Sequence, residues 1–294
     1  MKAYSDHSKP LVSVLMTAYN RENYIAEAID SVLASTYTNF ELIIVDDISK
    51  DKTVDIAREY ERKDSRVKVY VNEKNLGDYP NRNKAASYAK GKYLKYLDSD
   101  DKIYDFGLEY CVDQMERYPE ADLGMVVYYD MGTGGDSLCW SPEKIVHDHF
   151  FDRQYLNIGP SGTIIRKEKF KAVGGFNTSF GVASDAYFNI TIAATSPIVL
   201  LPKTFFYYRV HAGQEHNNAK GYIKYGYLYF KELLEKVKLP LSEKEIAFLY
   251  KKMEKRHAIA LTNYAFSTRD LTGTKRLLKE TNFKFTDILS GYFK

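Results

Sequence analysis

Residues 93–101 read YLKYLDSDD: an apolar run, Tyr93 to Leu97, passes without a break into Asp98-Ser99-Asp100-Asp101. A short apolar run bounded by a polar turn is the pattern of a buried strand. Toward the N-terminus, three more strands are predicted at Leu11 to Thr17 (LVSVLMT), Phe40 to Val45 (FELIIV) and Arg66 to Val71 (RVKVYV). The last alternates with period two, as a strand with one wetter face should. Helical stretches lie between them. Asn20 stands where an N-cap would precede the stripe Ile25, Ala28, Ile29, Val32 and Leu33; Thr53 to Arg62 follows, then Asn81 to Lys90 with Gly91 as its C-cap. Such alternation demands right-handed crossovers and a mainly parallel central sheet flanked by helices, an α/β fold. Ligands of such sheets sit beyond the carboxyl ends of the strands. Three of those ends carry Thr17-Ala18-Tyr19, Asp46-Asp47 and the Asp98–Asp101 run.

Past residue 101 the pattern predicts a helix over Phe106 to Arg117 and a strand over Asp122 to Asp130. The stretch from Gly132 to Asn157 reads as irregular. A strand at Thr163 to Arg166, a helical turn at Lys167 to Ala172 ended by Gly174-Gly175, and strands at Ile198 to Leu201 and Phe205 to Val210 complete this part. After Asn218, Gly and Pro nearly vanish. Gly221 to Lys294 is therefore predicted as helical, broken near Pro240 and near Thr272-Gly273.

The chain has 294 residues, 45% hydrophobic and 28% charged, enough to bury a sizeable core and too apolar for a disordered chain. Forty-two Lys and Arg against 39 Asp and Glu leave +3, which offers bulk charge for no nucleic-acid partner. Cys111 and Cys139 are too few for a four-cysteine zinc site and read as free thiols of a reducing compartment. The opening MKAYSDHSKP lacks the apolar core of a signal peptide, and no apolar run approaches the roughly 20 residues that span a bilayer. A cytoplasmic location is the expectation. Twenty-six Tyr suit sugar stacking and an ordinary core equally.

Carboxylates at alternating positions beyond a strand end can hold a hard divalent cation, Mg or Mn, which in turn binds phosphate oxygens. The bland alternative is a solvated acidic turn. A second acidic pair ending another strand of the same sheet favours the metal. Of that pair, one carboxylate suits a nucleobase or ribose hydrogen bond and the other a helix cap near Lys52.

Four segments now stand in order: LVSVLMTAYN at 11–20, FELIIVDDISKDKT at 40–53, Arg82-Asn83 with Ala89-Lys90-Gly91-Lys92-Tyr93, and YLDSDD at 96–101. Together they resemble the nucleotide-binding half of the inverting, non-processive family-2 glycosyltransferases, which have the GT-A fold. The resemblance runs less tightly through Gly159 to His211 and fades in the C-terminal helices. It implies a glycosyltransferase unit over 1–216 (nucleotide-binding half 11–101, acceptor half 102–216), followed by a helical region over 217–294.

It also implies roles. Thr17 and Tyr19 line the uridine site, Asp47 reads the uracil edge, and Arg82 lies near base and phosphates. Asp98 contacts ribose and, with Asp100, the metal; Asp101 is the substitute for either. The catalytic base falls on Asp185 after Gly174-Gly175-Phe176, with Ser184 replacing the family's usual Glu; composition alone would make Asp185 the N-cap of a helix Ala186–Ala194. In Tyr208-Arg209-Val210-His211, His211 contacts metal or phosphate, and Arg209 can share its face. The Gln-x-x-Arg-Trp motif of processive members is absent.

The expected activity is metal-dependent transfer from a UDP-sugar to a carbohydrate or lipid-linked acceptor in surface polysaccharide or glycoconjugate synthesis. The alternative is a non-catalytic nucleotide-sugar or carbohydrate-binding protein of the same fold. A dehalogenase-like phosphatase expects Thr or Val two residues past its second Asp, where Lys102 stands. A receiver domain would need the Asp46-Asp47 strand first in the chain, and a dinucleotide-binding fold would need glycines between Thr17 and Tyr24. Lys251, Lys252, Lys255 and Arg256 form a basic cluster in the tail that suits peripheral membrane contact as well as a solvated face.

Overall fold

The computed structural model describes residues 9–128, 131–132, 135–211, 219–284 and 286–287. Its first half runs β1 (Val12–Ala18), α1 (Ile25–Leu33), β2 (Phe40–Asp46), α2 (Thr53–Lys63), β3 (Val67–Val71), α3 (Asp78–Tyr88) and β4 (Tyr93–Tyr96). There follow β5 (Lys102–Ile103), α4 (Gly107–Arg117), β6 (Leu123–Val126), β7 (Leu138–Trp140), α5 (Pro142–Phe151), β8 (Thr163–Arg166), α6 (Lys167–Ala172), α7 (Ser184–Ala193), β9 (Ile198–Leu201) and β10 (Phe206–Tyr207). Three helices close the chain: α8 (Ala219–Lys236), α9 (Glu243–Thr268) and α10 (Leu271–Thr281).

Eight strands form one sheet in the order β3-β2-β1-β4-β8-β6-β9-β7. The first four are parallel, with Leu15 between Ile43 and Tyr96; β8 runs antiparallel to both its neighbours, and β7 antiparallel to β9. The sheet is covered on both faces. Leu15, Ile43, Leu94 and Tyr96 pack into one core, and Val12, Val14, Met16 and Tyr93 into the other, as the period of two requires. The chain moves outward from β1 to β3 and returns to β1's other side at β4. The carboxyl ends of β1 and β4 therefore flank the crevice where the strand order reverses.

Several local expectations need correcting. Asn20 does not cap α1, whose N-cap is Tyr24; it takes a left-handed conformation (φ 53°) and serves the site instead. Gly91 is not a C-cap either, because α3 ends at Tyr88 with Ala89 as its C-cap. Glycine is needed there because a Cβ would sit 2.6 Å from the Ser13 amide nitrogen and 2.7 Å from the Leu11 carbonyl oxygen. The stretch 132–157 holds β7 and α5, the latter capped by Ser141 Oγ accepting from the Lys144 amide, with Pro142 at its first position. The strand expected over Asp122–Asp130 is β6, and Tyr129 and Asp130 lie outside the described residues. The strand expected over Phe205–Val210 shrinks to β10, paired with β5.

The tail breaks at Pro240 as expected, and α9 opens with a Ser242/Glu245 capping box. The second break falls earlier than Thr272-Gly273. Arg269 is left-handed there, and Asp270 caps α10 by accepting from the Gly273 amide at 2.7 Å. The last residues of the predicted helical region, 288–294, lie outside the described residues. No helix among the described residues is long and apolar enough to cross a membrane.

Candidate active site

The loops after β1 and β2 are latched together. The Asn20 amide donates to Ser49 Oγ at 2.8 Å, and Asn20 Oδ1 accepts from the Lys50 amide at 2.7 Å. Ser49 in turn donates to the buried Asp46. Burial raises the Asp46 carboxyl above its usual range, and the Ser49 bonds partly offset that. Asp46 thus stabilises a loop; Asp51, whose Oδ1 accepts from the Thr53 amide at 3.0 Å, serves the start of α2. Asp47 organises the turn into α3, its Oδ1 accepting from Asn72 Nδ2 and the Leu76 amide and its Oδ2 from the Gly77 amide, each at 2.8 Å.

At the end of β4, ligand oxygens of Asp98, Asp100 and Asp101 lie within 4.8 Å of one another. Arg82 Nη1 approaches Asp98 Oδ1 to 2.6 Å as an ion pair without hydrogen-bond alignment. Asp100 Oδ2 accepts from Arg21 Nε at 3.0 Å and lies 2.9 Å from His211 Nε2. Asp101 is buried, and its Oδ2 makes no hydrogen bond. Burial, followed by the neighbouring Asp98 charge, pushes its carboxyl up to about 7. His211 and Arg209 do share a side: the His211 ring stacks on Tyr24 at 4.9 Å and the Arg209 guanidinium lies 5.1 Å from the same ring. Arg209 also donates to the Asp100 carbonyl at 2.9 Å.

Beneath this turn lies Lys95, fully buried, donating to the carbonyls of Tyr96 and Ser161 at 2.6 Å each. Burial lowers its amine to about 8. Ser161, held this way, accepts from the Asp98 amide at 3.0 Å through its Oγ. The lysine therefore ties the acidic turn to the segment leading into β8.

The Gly174-Gly175-Phe176 turn is clasped to α3. Asn83 Oδ1 accepts from the Phe176 amide and Asn83 Nδ2 donates to the Phe176 carbonyl, both at 2.9 Å. A Cβ on Gly175 would strike that Asn83 oxygen at 2.7 Å. The clasp holds this turn, which leads toward α7, against the residue beside Arg82. Ser184 is fully buried with its hydroxyl unpartnered, and Asp185 lies in the first turn of α7, whose N-cap is Ala183. Burial, partly offset by the Ala186 amide at 2.7 Å, raises the Asp185 carboxyl to about 6.

One cavity of about 620 Å³ is lined by Thr17, Tyr19, Asp47, Arg82, Asp98, Asp100 and Asp185 together. Asp101 lines an adjoining cavity of about 300 Å³ that shares Asp98, and His211 stands behind Asp100, lining neither. Arg21, Lys95 and the cavity-lining Tyr222, with Asn83 and the cavity-lining Tyr208 from the quoted segments, had no role legible in the sequence. Only Lys95, a lone charge inside an apolar strand, carried a readable signal.

Solved structures share this architecture. TarS of S. aureus in complex with UDP-GlcNAc superposes with a TM-score of 0.72 at 21% identity, covering 95% of this chain and 81% of that one. The mannosyltransferase PcManGT from Pyrobaculum calidifontis, in complex with GDP-Man and Mn2+, gives 0.65 at 17% identity, covering 99% and 88%. The fold is thus that of the GT-A glycosyltransferases. Residues 13–174 match the family described as Glycosyl transferase family 2, and the chain belongs to that family. A Bacillus subtilis (strain 168) protein named for teichuronic acid biosynthesis, the glycosyltransferase TuaG, is 40% identical over 142 residues, 48% of this chain and 56% of TuaG. The matched stretch spans little more than half the length of such curated relatives.

Proposed function

We propose that this chain moves a hexosyl group from a UDP-sugar to a hydroxyl of a carbohydrate or lipid-linked acceptor, with inversion at the anomeric carbon, in surface polysaccharide or glycoconjugate synthesis. What carries the reading is that Asp98, Asp100 and Asp185 meet in one cavity also lined by Thr17, Tyr19, Asp47 and Arg82. Thr17, Tyr19 and Asp47 receive the nucleoside, and Arg82 meets the diphosphate. Two structures of this fold hold a nucleotide-sugar, UDP-GlcNAc in TarS and GDP-Man with Mn2+ in PcManGT, and the first of these supports a UDP-sugar here.

Asp98, Asp100 and Asp101 fit Mg or Mn: all their donors are oxygen, they converge, and one is a buried oxygen lacking a partner. Bound there, such a cation stabilises negative charge developing on departing UDP. Arg21 and His211 fix Asp100 from behind; His211, which lines neither cavity, acts on the cation site through Asp100 and not as the direct metal or phosphate contact the sequence suggested. As the acceptor oxygen bonds to the anomeric carbon, the bond to the β-phosphate oxygen breaks and UDP leaves with the electron pair. The hydroxyl proton passes to Asp185. A carboxyl raised to about 6 is a stronger base than ordinary aspartate yet stays ionised at neutral pH. Single displacement gives inversion. The unit over 1–216 performs this chemistry, with the 217–294 helices completing the wall through Tyr222.

The test is a panel of UDP-sugars with manganese or chelator, read by thermal shift and UDP release. Metal-dependent stabilisation with slow hydrolysis of one donor is the expected result. Binding without any hydrolysis would favour the non-catalytic alternative, and no binding would sink both.

A further inference from the structure

Between Ala219 and Lys294 there are sixteen Lys and Arg against eight Asp and Glu, whereas the preceding 218 residues carry 26 against 31. The chain's modest net charge therefore hides a basic C-terminal end on an acidic body, an asymmetry that points to an anionic partner. Three of those sixteen cations lie along one face of α9. Along α9, Lys244, Phe248, Lys251, Lys255, Ile259, Thr262 and Phe266 recur at steps of four and three, one face of a helix. Lys244, Lys251 and Lys255 are exposed and form no ion pair among the described residues. Phe248 is 52% exposed and Phe266 81%. These two rings are eighteen residues apart, five full turns, so they point the same way about 27 Å apart, with Lys251 and Lys255 between them and Lys244 one turn before Phe248.

The opposite face is spent on the protein. Leu249, Met253 and Leu261 are buried, and Lys252 is drawn inward to the Phe150 carbonyl at 3.0 Å, so it leaves the basic cluster that the sequence suggested. At the far end of α9, Arg269, Lys275 and Arg276 are exposed around Leu271, itself 68% exposed. An outward row of cations interleaved with exposed rings offers nothing to an apolar groove and little to water. It fits a flat surface with anionic headgroups over an apolar interior.

We infer that α9 lies along an anionic membrane surface, with Lys244, Lys251 and Lys255 on the headgroups and Phe248 and Phe266 dipping between them. This docking does not depend on the transfer reaction. Flotation of the full chain with vesicles of phosphatidylcholine alone, or of equal parts phosphatidylcholine and phosphatidylglycerol, tests it. Binding is expected only to the anionic vesicles and is lost at high salt. Each lysine near such a surface accounts for about a fivefold change. The variant K244Q/K251Q/K255Q should bind about a hundredfold more weakly, and Phe266→Ser roughly tenfold. Both should melt like the parent and keep its donor binding, since all four side chains face solvent. Equal binding to neutral vesicles, no binding to anionic ones, or full binding by the triple variant would overturn the inference. So would a dimer in solution that Phe266→Ser dissociates, which would make this face a contact between copies.

Discussion

Arg82 Nη1 lies 2.6 Å from Asp98 Oδ1, and the same guanidinium donates through Nε to Asp78 at 2.8 Å. The arginine belongs to α3 and the aspartate to the turn after β4, so this pair ties the helix to the acidic cluster. It also sets the charge balance of the cavity. Replacing Arg82 with Ala leaves three carboxylates with less positive charge to face. Calorimetry should then show manganese binding unchanged or tighter, and UDP binding in manganese weaker by about tenfold or more. Parallel losses of both would mean that Arg82 serves the fold alone.

Asp185 is the test of chemistry. Its carboxyl is raised to about 6, so it is protonated and unable to accept a proton below that pH. The log of kcat/KM should rise with unit slope up to about pH 6 and level off above. Asp185→Asn should abolish transfer while leaving UDP-sugar affinity within a factor of a few. Linkage adds a second readout. A folded pKa above the unfolded value favours folding at low pH, and that contribution is lost as pH rises through 6. Asp185→Asn should therefore raise Tm at pH 8 more than at pH 5. Transfer that survives the substitution removes Asp185 from the mechanism.

Asp100→Ala addresses the cation. The variant keeps Asp98 and Asp101 but loses the carboxylate that Arg21 and His211 hold in place. Donor binding should lose its dependence on manganese, measured as the difference between metal and chelator in the same titration. Metal dependence that persists would place the ion elsewhere.

Much of the frame could be read in the residues. Thr163 to Arg166, Lys167 to Ala172 and Ile198 to Leu201 match β8, α6 and β9 residue for residue; Pro160 to Gly162 and Gly174-Gly175 bound the first two together, and Pro197 and Pro202 bound the third. The cavity gathers seven predicted residues because they lie at or just past strand ends or in later helices, where topology brings them together. What escaped depends on partners distant in sequence. Asn83 gave no hint that it would clasp Phe176, 93 residues on. Asn20 looked like a cap because Asn often caps, but its side chain had a better partner in the Lys50 amide. Ser184, where the family's usual Glu would stand, is fully buried in the first turn of α7. An unpartnered buried hydroxyl costs stability, so Ser184→Ala should fold as well or better, by up to about 1 kcal/mol, with transfer intact.

One link between the C-terminal helices and the site runs through Gly181, beside Tyr225 of α8. It sits at φ 47° and ψ −124°, a conformation strained for any L side chain, in the 178–183 segment that leads directly into Ser184 and Asp185. A Cβ there would lie 2.7 Å from the Tyr225 ring on α8. Gly181→Ala therefore meets two separate penalties, backbone strain and a clash, together about 2–4 kcal/mol. The two can be told apart. Tyr225→Ala removes the ring, so in the double variant the clash is relieved and the strain remains, giving less destabilisation than the sum of the singles. Relief of the clash moves α8 or the segment, so kcat should fall in Gly181→Ala by more than KM changes. Gly91→Ala is the control: its Cβ would strike the backbone of Leu11 and Ser13 at the opposite end of β1 from Thr17. It should lower Tm comparably, yet well below its melting point retain near-parental kcat. If Gly181→Ala behaves no differently from Gly91→Ala, the helical tail has no hold on Asp185.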